Sequence, residues 1–291
     1  MRLENLCLTE GERMSEQYLK GRVAMVTGGA SGMGRAMALA LAKAGADVGI
    51  GSLLQESSAK NAEGELVNRP GKEELEKTKM DIEAFGVRCA AMDLDVCDTE
   101  SVRRFHKGVV AELGEVDILC NAAGITAEHP VTGHSDQLWL KVMDVNANGV
   151  FRATREVLPG MIRRRWGRVI SIASTAAGVG AAYSPAYCAS KAAVTGFTRA
   201  VAQEGAEALV TANAISPGWV ETTFGVEWLS DIAEKQMHTK GDLFIQEQKA
   251  QNPQKRMIQP VEIGTLAAYL CRDEAVGVTG QDITVSAGSA W

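Results

Sequence analysis

The stretch Thr27-Gly28-Gly29-Ala30-Ser31-Gly32-Met33-Gly34 decides the fold. It follows a short apolar run, Val23 to Val26, and enters an alanine-rich segment that continues through Lys43 before Gly45 closes it. That spacing predicts strand, glycine turn and helix in order. Small residues let such a turn approach a ligand closely, and the first N–H groups of the following helix lack intrahelical partners, so they offer donors and a positive end. The segment reads as a dinucleotide cradle, against the plainer alternative of a glycine-rich tight turn without a ligand.

Outward from this turn the alternation repeats. Strands are expected over 48–50, 87–92, 116–120, 168–171, 210–215 and 282–285, and helices over 73–85, 101–113, 135–164, 260–270 and from Pro185 onward. Parallel strands need crossover connections, so short apolar strands alternating with longer helices predict the α/β class: a seven-stranded, mostly parallel sheet flanked by helices on both faces. The tract 135–164 is expected to break near Asn146 and Pro159. Residues 1–20 read as an N-terminal extension and 21–291 as one domain. Within it, 55–72 reads as an enlarged surface connection and 223–253 as a helical lid.

Composition narrows the function. The chain has 291 residues, 46% of them hydrophobic and 23% charged, which suffices for a sizeable core and argues against wholesale disorder. Thirty basic against 36 acidic residues leave a net charge of −6, with no general attraction for nucleic acid or anionic lipid, so neither is expected as a partner. Met1 to Lys20 has no continuous apolar segment, and 169–190 is too rich in hydroxyl groups and glycine for a membrane span, so a cytoplasmic location is expected. Six cysteines without paired CxxC spacing fit reduced thiols, and four histidines without zinc spacing give no expectation of a metal.

Tyr187 and Lys191 lie four positions apart, on one face of the helix that starts at Pro185. A free tyrosine titrates near ~10, and a nearby ammonium favours its phenolate, so the pair suits general acid/base work on an alcohol proton. Ser174 follows an apolar strand and can offer its hydroxyl to a substrate oxygen; Ser171 and Thr175 are alternatives. Asn146, in Asp144-Val145-Asn146-Ala147-Asn148, is unfavourable inside a helix and predicts a local bend or a buried water network, with Asn148 as the alternative.

Together with Cys120-Asn121-Ala122-Ala123-Gly124 and Pro217-Gly218, these motifs resemble the short-chain dehydrogenase/reductase superfamily across most of 22–291. The resemblance implies a single Rossmann-like domain with strand order 3-2-1-4-5-6-7, and NAD(P)-dependent oxidoreduction between a secondary alcohol and a carbonyl compound. It implies catalytic roles for Asn146, Ser174, Tyr187 and Lys191, with Asn146 relaying through a water to the lysine. It places the cofactor against Thr27, Gly28, Ser31, Gly32, Met33 and Gly34, then Ser52 at the end of the second strand. Asp95 and Val96 fall at the adenine, and Asn121, Ala122, Ala123 and Gly124 beside its ribose. Tyr187, Lys191, Pro217, Gly218, Val220 and Thr222 fall on the nicotinamide side. A homotetramer is also implied.

Ser52 stands where NAD-dependent relatives carry an acid, and Leu53 is not the arginine of many NADP-dependent ones. Loss of the repelling carboxylate puts NADP slightly ahead of NAD, with Arg35 or the enlarged connection as a source of phosphate contacts. His129, Tyr183, Trp219, Phe224 and Trp228 suggest an aromatic mouth for a compact or cyclic small-molecule substrate, though each serves equally well in packing. Two other readings stand beside this one: a nucleotide-binding regulatory or scaffold protein without turnover, and a sugar-nucleotide epimerase, which the glycine spacing and compact chain weaken.

Overall fold

The computed structural model describes residues 17–57 and 65–289. In chain order the elements are β1 (Val23–Thr27), α1 (Gly32–Lys43), β2 (Asp47–Ser52), β3 (Glu65–Leu66), α2 (Lys72–Glu83), β4 (Cys89–Asp93), α3 (Thr99–Leu113), β5 (Ile118–Asn121), β6 (Thr126–Ala127) and α4 (Asp136–Met143). After a widened turn over Asp144–Asn148 come α5 (Gly149–Arg164), β7 (Gly167–Ile172), the short α6 (Ala176–Val179), α7 (Pro185–Gly205), β8 (Val210–Pro217), α8 (Thr223–Lys235), α9 (Gly241–Gln251), α10 (Pro260–Leu270) and β9 (Asp282–Val285).

Seven strands form one parallel sheet in the order β4-β2-β1-β5-β7-β8-β9, the arrangement that the resemblance implied. The alternation of side chains along a strand sorts the core into two layers. From β1, Ala24 and Val26 join the cluster with Met37, Leu41 and Ile263 of α1 and α10. Val23 and Met25 join the opposite one, with Phe105, Val109 and Met161 of α3 and α5. Strand β5 divides the same way, Ile118 and Cys120 against Leu119. Both faces of the sheet are therefore buried, which is why its strands are apolar runs rather than amphipathic alternations.

Strand order reverses direction between β1 and β5, so the connections after these neighbours leave to opposite sides and open a crevice at their C-terminal ends. Register places Thr27 beside both Gly51 and Asn121 there, at the mouth of that crevice.

Two local features differ from expectation. Pro159 does not break the helix: it sits on the exposed side of α5, where the carbonyl it leaves without a donor meets water. The break falls only at Asp144–Asn148, where one turn takes the wider i→i+5 form. Strands β3 and β6 form a separate antiparallel pair, Glu65 opposite Ala127 and Leu66 opposite Thr126, inside and beside what reads as irregular connection. Two residues are too few for any periodicity to show. Most of the expected N-terminal extension, residues 1–16, and residues 58–64 of the enlarged connection lie outside the described residues. Of the extension, Leu19 is buried in the core, and its N–H donates to the Ala44 carbonyl at 2.8 Å.

Helix α10 lies directly on α1, because Gly264 has no side chain to hold them apart. A Cβ there would stand 2.3 Å from the Ala36 carbonyl oxygen, a backbone atom that cannot yield without separating the helices. Gly264→Ala is expected to cost about 1–3 kcal/mol, lowering the midpoint of thermal unfolding by several degrees. Calorimetry of the variant checks this, and an unchanged midpoint contradicts the close approach.

Candidate functional site

The glycine turn is tied back to its neighbours so that the helix end behind it stays open. The N–H groups of Gly28 and Gly29 donate to the Gly51 carbonyl at 2.7 and 3.2 Å, and that of Ala30 to the Ser52 hydroxyl at 3.1 Å. Thr78 Oγ1 donates to the Ala30 carbonyl at 3.1 Å. No side chain caps α1, and its first turn carries no acid. At Gly34 a Cβ would lie 2.1 Å from the Gly28 carbonyl oxygen, so the turn can fold onto its own helix only with glycine there. The result is a positive helix end with free donors facing a cavity of about 450 Å³. These features fit a ligand carrying a diphosphate.

Asn146 occupies the widened turn, fully buried. Its Oδ1 accepts the Ile125 N–H at 2.9 Å, while Nδ2 donates to the Ile125 carbonyl at 2.9 Å and to Ser190 Oγ at 3.0 Å. Both amide protons are thus used, and any water contact falls to the remaining lone pair of Oδ1. That oxygen and Lys191 Nζ both lie against Gly124, 3.4 and 3.5 Å from where a side chain on the glycine would begin.

Lys191, one helical turn beyond Tyr187 on α7, donates from Nζ to the Ile172 carbonyl at the end of β7, at 2.8 Å. The ammonium is 5.6 Å from the Tyr187 ring centroid. Burial lowers the lysine to about 8. Burial raises the Tyr187 phenol to about 12, with a hydrogen bond to Ser174 acting in the opposite direction and Cys188 and Glu128 raising it further. At neutral pH the site accordingly holds an ammonium beside a neutral phenol. Ser174 Oγ also accepts the Ala176 N–H at 3.2 Å.

A second cavity, of about 210 Å³, opens on the far side of Tyr187. Ser174, Trp219, Phe224 and Trp228 line it, together with Glu128. Tyr187, Met33, Thr222 and Phe224 border both cavities, so the phenol stands at their junction.

The sequence-derived residues divide between these spaces. Gly28, Ser31, Gly32, Met33, Gly34, Ser52, Asp95, Val96, Ala122, Ala123, Gly124, Lys191 and Thr222 line the larger cavity. Pro217, Gly218 and Val220 line the smaller one. Asn121 and Thr27 line neither: Asn121 Nδ2 donates to Ser171 Oγ at 3.1 Å within the sheet, and Thr27 Oγ1 accepts the Ala122 N–H at 3.3 Å. Asp95 accepts the Cys97 N–H at 2.8 Å, and Thr222 caps α8 by accepting from Gly225 N at 2.9 Å, so each also does a turn or capping task. Arg35 pairs with Asp81 at 2.5 Å. His129 and Tyr183 border neither cavity; the His129 N–H donates to the Tyr183 carbonyl at 2.6 Å. Arg69, from the enlarged connection that sequence reading offered for phosphate contacts, lines the larger cavity, as does Arg35; sequence reading missed Glu128 and Lys77. The only signal for Glu128 was an acid set among apolar and hydroxyl residues after Gly124.

Known proteins resemble this chain over most of its length. Residues 28–290 match the family described as Enoyl-(Acyl carrier protein) reductase. A 3-oxoacyl-[acyl-carrier-protein] reductase of Pseudomonas aeruginosa is 34% identical over 270 residues, 93% of this chain and 98% of the relative. An acetoacetyl-CoA reductase of Allochromatium vinosum is 34% identical over 267 residues, 92% of this chain and 98% of the relative. Among solved structures, an actinorhodin polyketide ketoreductase variant with NADPH superposes with a TM-score of 0.82 at 33% identity, covering 92% of this chain and 96% of that one. L-sorbose reductase from Gluconobacter frateurii, complexed with NADPH and L-sorbose, gives 0.82 at 25% identity, covering 94% and 98%.

The lowered lysine makes a stability prediction. Below about 8 the folded protein holds an ammonium that burial disfavours; between there and the ordinary 10.5 the folded protein has released that proton and the unfolded chain has not, so wild-type stability rises with pH. Lys191→Met removes the group. The unfolding free energy of wild type relative to the variant is expected to rise by roughly 2–3 kcal/mol between about pH 7 and pH 10, measured by denaturant titration. A difference flat with pH contradicts the buried ammonium.

Proposed function

Since the chain belongs to the short-chain dehydrogenase/reductase family, we propose that it reduces a compact carbonyl compound to a secondary alcohol, with NADPH as the reductant. The observation that carries this reading is the position of Tyr187 at the junction of the two cavities, with Ser174 on the far side and Lys191 behind. When bound, a reduced nicotinamide supplies the hydride. Ser174 and Tyr187 hold the carbonyl oxygen by two hydroxyl hydrogen bonds, and Tyr187 gives its proton to that oxygen as negative charge develops there. Lys191 stabilises the phenolate left behind, and Asn146 fixes the widened turn that backs the lysine. A phenol raised to about 12 is protonated before the reaction, the state a general acid needs.

The donor set of the larger cavity also favours NADPH. Ser52 leaves no acid at the end of β2, and Arg69 and Lys77 line the same cavity. The two structural relatives described above are complexes with NADPH. A homotetramer forms part of this reading; Phe151, 45% exposed on α5 and edge-on to Phe197 of α7, supplies apolar surface for an interface between copies.

Two measurements test the proposal. Tyr187→Phe should lower carbonyl reduction by about 10² to 10⁴-fold while leaving NADPH affinity within about twofold; near-normal turnover rejects the role. Replacing both Arg69 and Lys77 by Gln should weaken NADPH binding by roughly tenfold or more and leave NADH binding unchanged, since each charged hydrogen bond contributes about 1.5–3 kcal/mol. Equal losses for both cofactors contradict the assignment.

A further inference from the structure

Glu128 is a carboxylate with no part in the steps above, yet it makes three side-chain hydrogen bonds, as many as Asn146. It leaves β6 and lies half-buried at the wall of the smaller cavity. Its Oε1 accepts from Ser184 Oγ at 2.7 Å and from Trp228 Nε1 at 2.5 Å, and its Oε2 accepts from Gln236 Nε2 at 2.9 Å. Ser184 immediately precedes α7, the helix that carries Tyr187 and Lys191. Trp228 lies on α8, and Gln236 is the residue that ends it. One carboxylate therefore joins the root of the Tyr187 helix to both the middle and the end of the helix across the cavity.

The Trp228 ring that this bond aims is itself a wall of the site. It meets the Tyr187 ring edge-on at 5.0 Å, and the Trp219 ring at 5.0 Å in the same manner. An indole N–H turned away from the carboxylate would swing that ring, and with it the surface facing Ser174. Charged acceptors hold their donors more strongly than neutral ones, and a half-buried carboxylate that lost these donors would be left poorly compensated. Burial raises Glu128 above the usual carboxylate range, and the three donors oppose that rise.

We propose that Glu128 is a positioning residue that latches helix α8 over the substrate cavity and sets the orientation of Trp228 against Tyr187. Glu128 touches no reacting atom; it acts through the indole and the root of α7. The inference rests on the reading of the smaller cavity as the substrate site, but the latch itself is a conformational claim and is testable without turnover.

The experiment is hydrogen–deuterium exchange of the full chain, with Glu128→Gln, Trp228→Phe and wild type compared at one pH. Glu128→Gln keeps the shape and removes the charge; Trp228→Phe keeps an aromatic ring and removes one donor, which covers the case in which the first variant folds poorly. Amide exchange over 223–236 should accelerate by roughly tenfold or more in both variants, as loss of a charged hydrogen bond implies, with protection over 190–205 unchanged. Steady-state reduction of a compact ketone should then show a raised KM with kcat changed less, and unaltered NADPH affinity. Faster exchange without carbonyl reduction in wild type would uphold the latch and reject the proposed activity. Unchanged exchange over 223–236 in a folded Glu128→Gln or Trp228→Phe protein overturns the latch, as does an equal acceleration across 190–205, which would mark Glu128 as a general structural residue.

Discussion

The contact between Lys191 Nζ and the Ile172 carbonyl organises the site. An ammonium at 5% exposure is costly to hold, and one backbone oxygen at the end of β7 gives it a fixed partner. That partner cannot drift, because Ile172 is in register with Ile215 of β8 inside the sheet. The charge is thereby anchored to the most rigid part of the molecule, one helical turn from the phenol it must influence. Neither side chain would serve alone. A buried tyrosine holds its proton too firmly to act as a base, and a buried lysine without a fixed partner would relax toward water.

The surrounding architecture supports this pair from three directions. Asn146 clips the widened turn to the Ile125 backbone by paired hydrogen bonds, and its remaining proton reaches Ser190, whose hydroxyl donates to the Tyr187 carbonyl at 2.8 Å. The helix that carries the pair is thus braced from within its own first turns. On the second side the glycine turn brings the open end of α1 into the same crevice. On the third, Trp228 closes the aromatic wall. Each brace joins segments distant in sequence, so the site exists only when the sheet does.

Much of this was legible beforehand. Helix α10 and strand β9 begin and end where the residues predicted, the helix starting with Pro260 at its first position. The seven-stranded sheet followed from apolar runs, and the bend at Asn146 from an amide placed mid-helix. Long-range pairing was not legible. Asn146 reaches Ser190 across 44 positions, and Glu128 reaches Ser184, Trp228 and Gln236 across 56, 100 and 108. No local pattern encodes such contacts. Pro159 shows the opposite error: a local rule predicted a break, and the exposed side of α5 made it unnecessary.

The account stands on the electrostatic coupling of one phenol to one ammonium. Its most direct test is carbon NMR of protein with tyrosine labelled at the ring carbon bearing the hydroxyl, titrated with saturating oxidised cofactor, in wild type and in Lys191→Met. With Lys191 acting on Tyr187, the Tyr187 signal should titrate at a lower pH in wild type than in the variant. A Tyr187 signal that titrates at the same pH in both proteins would contradict it.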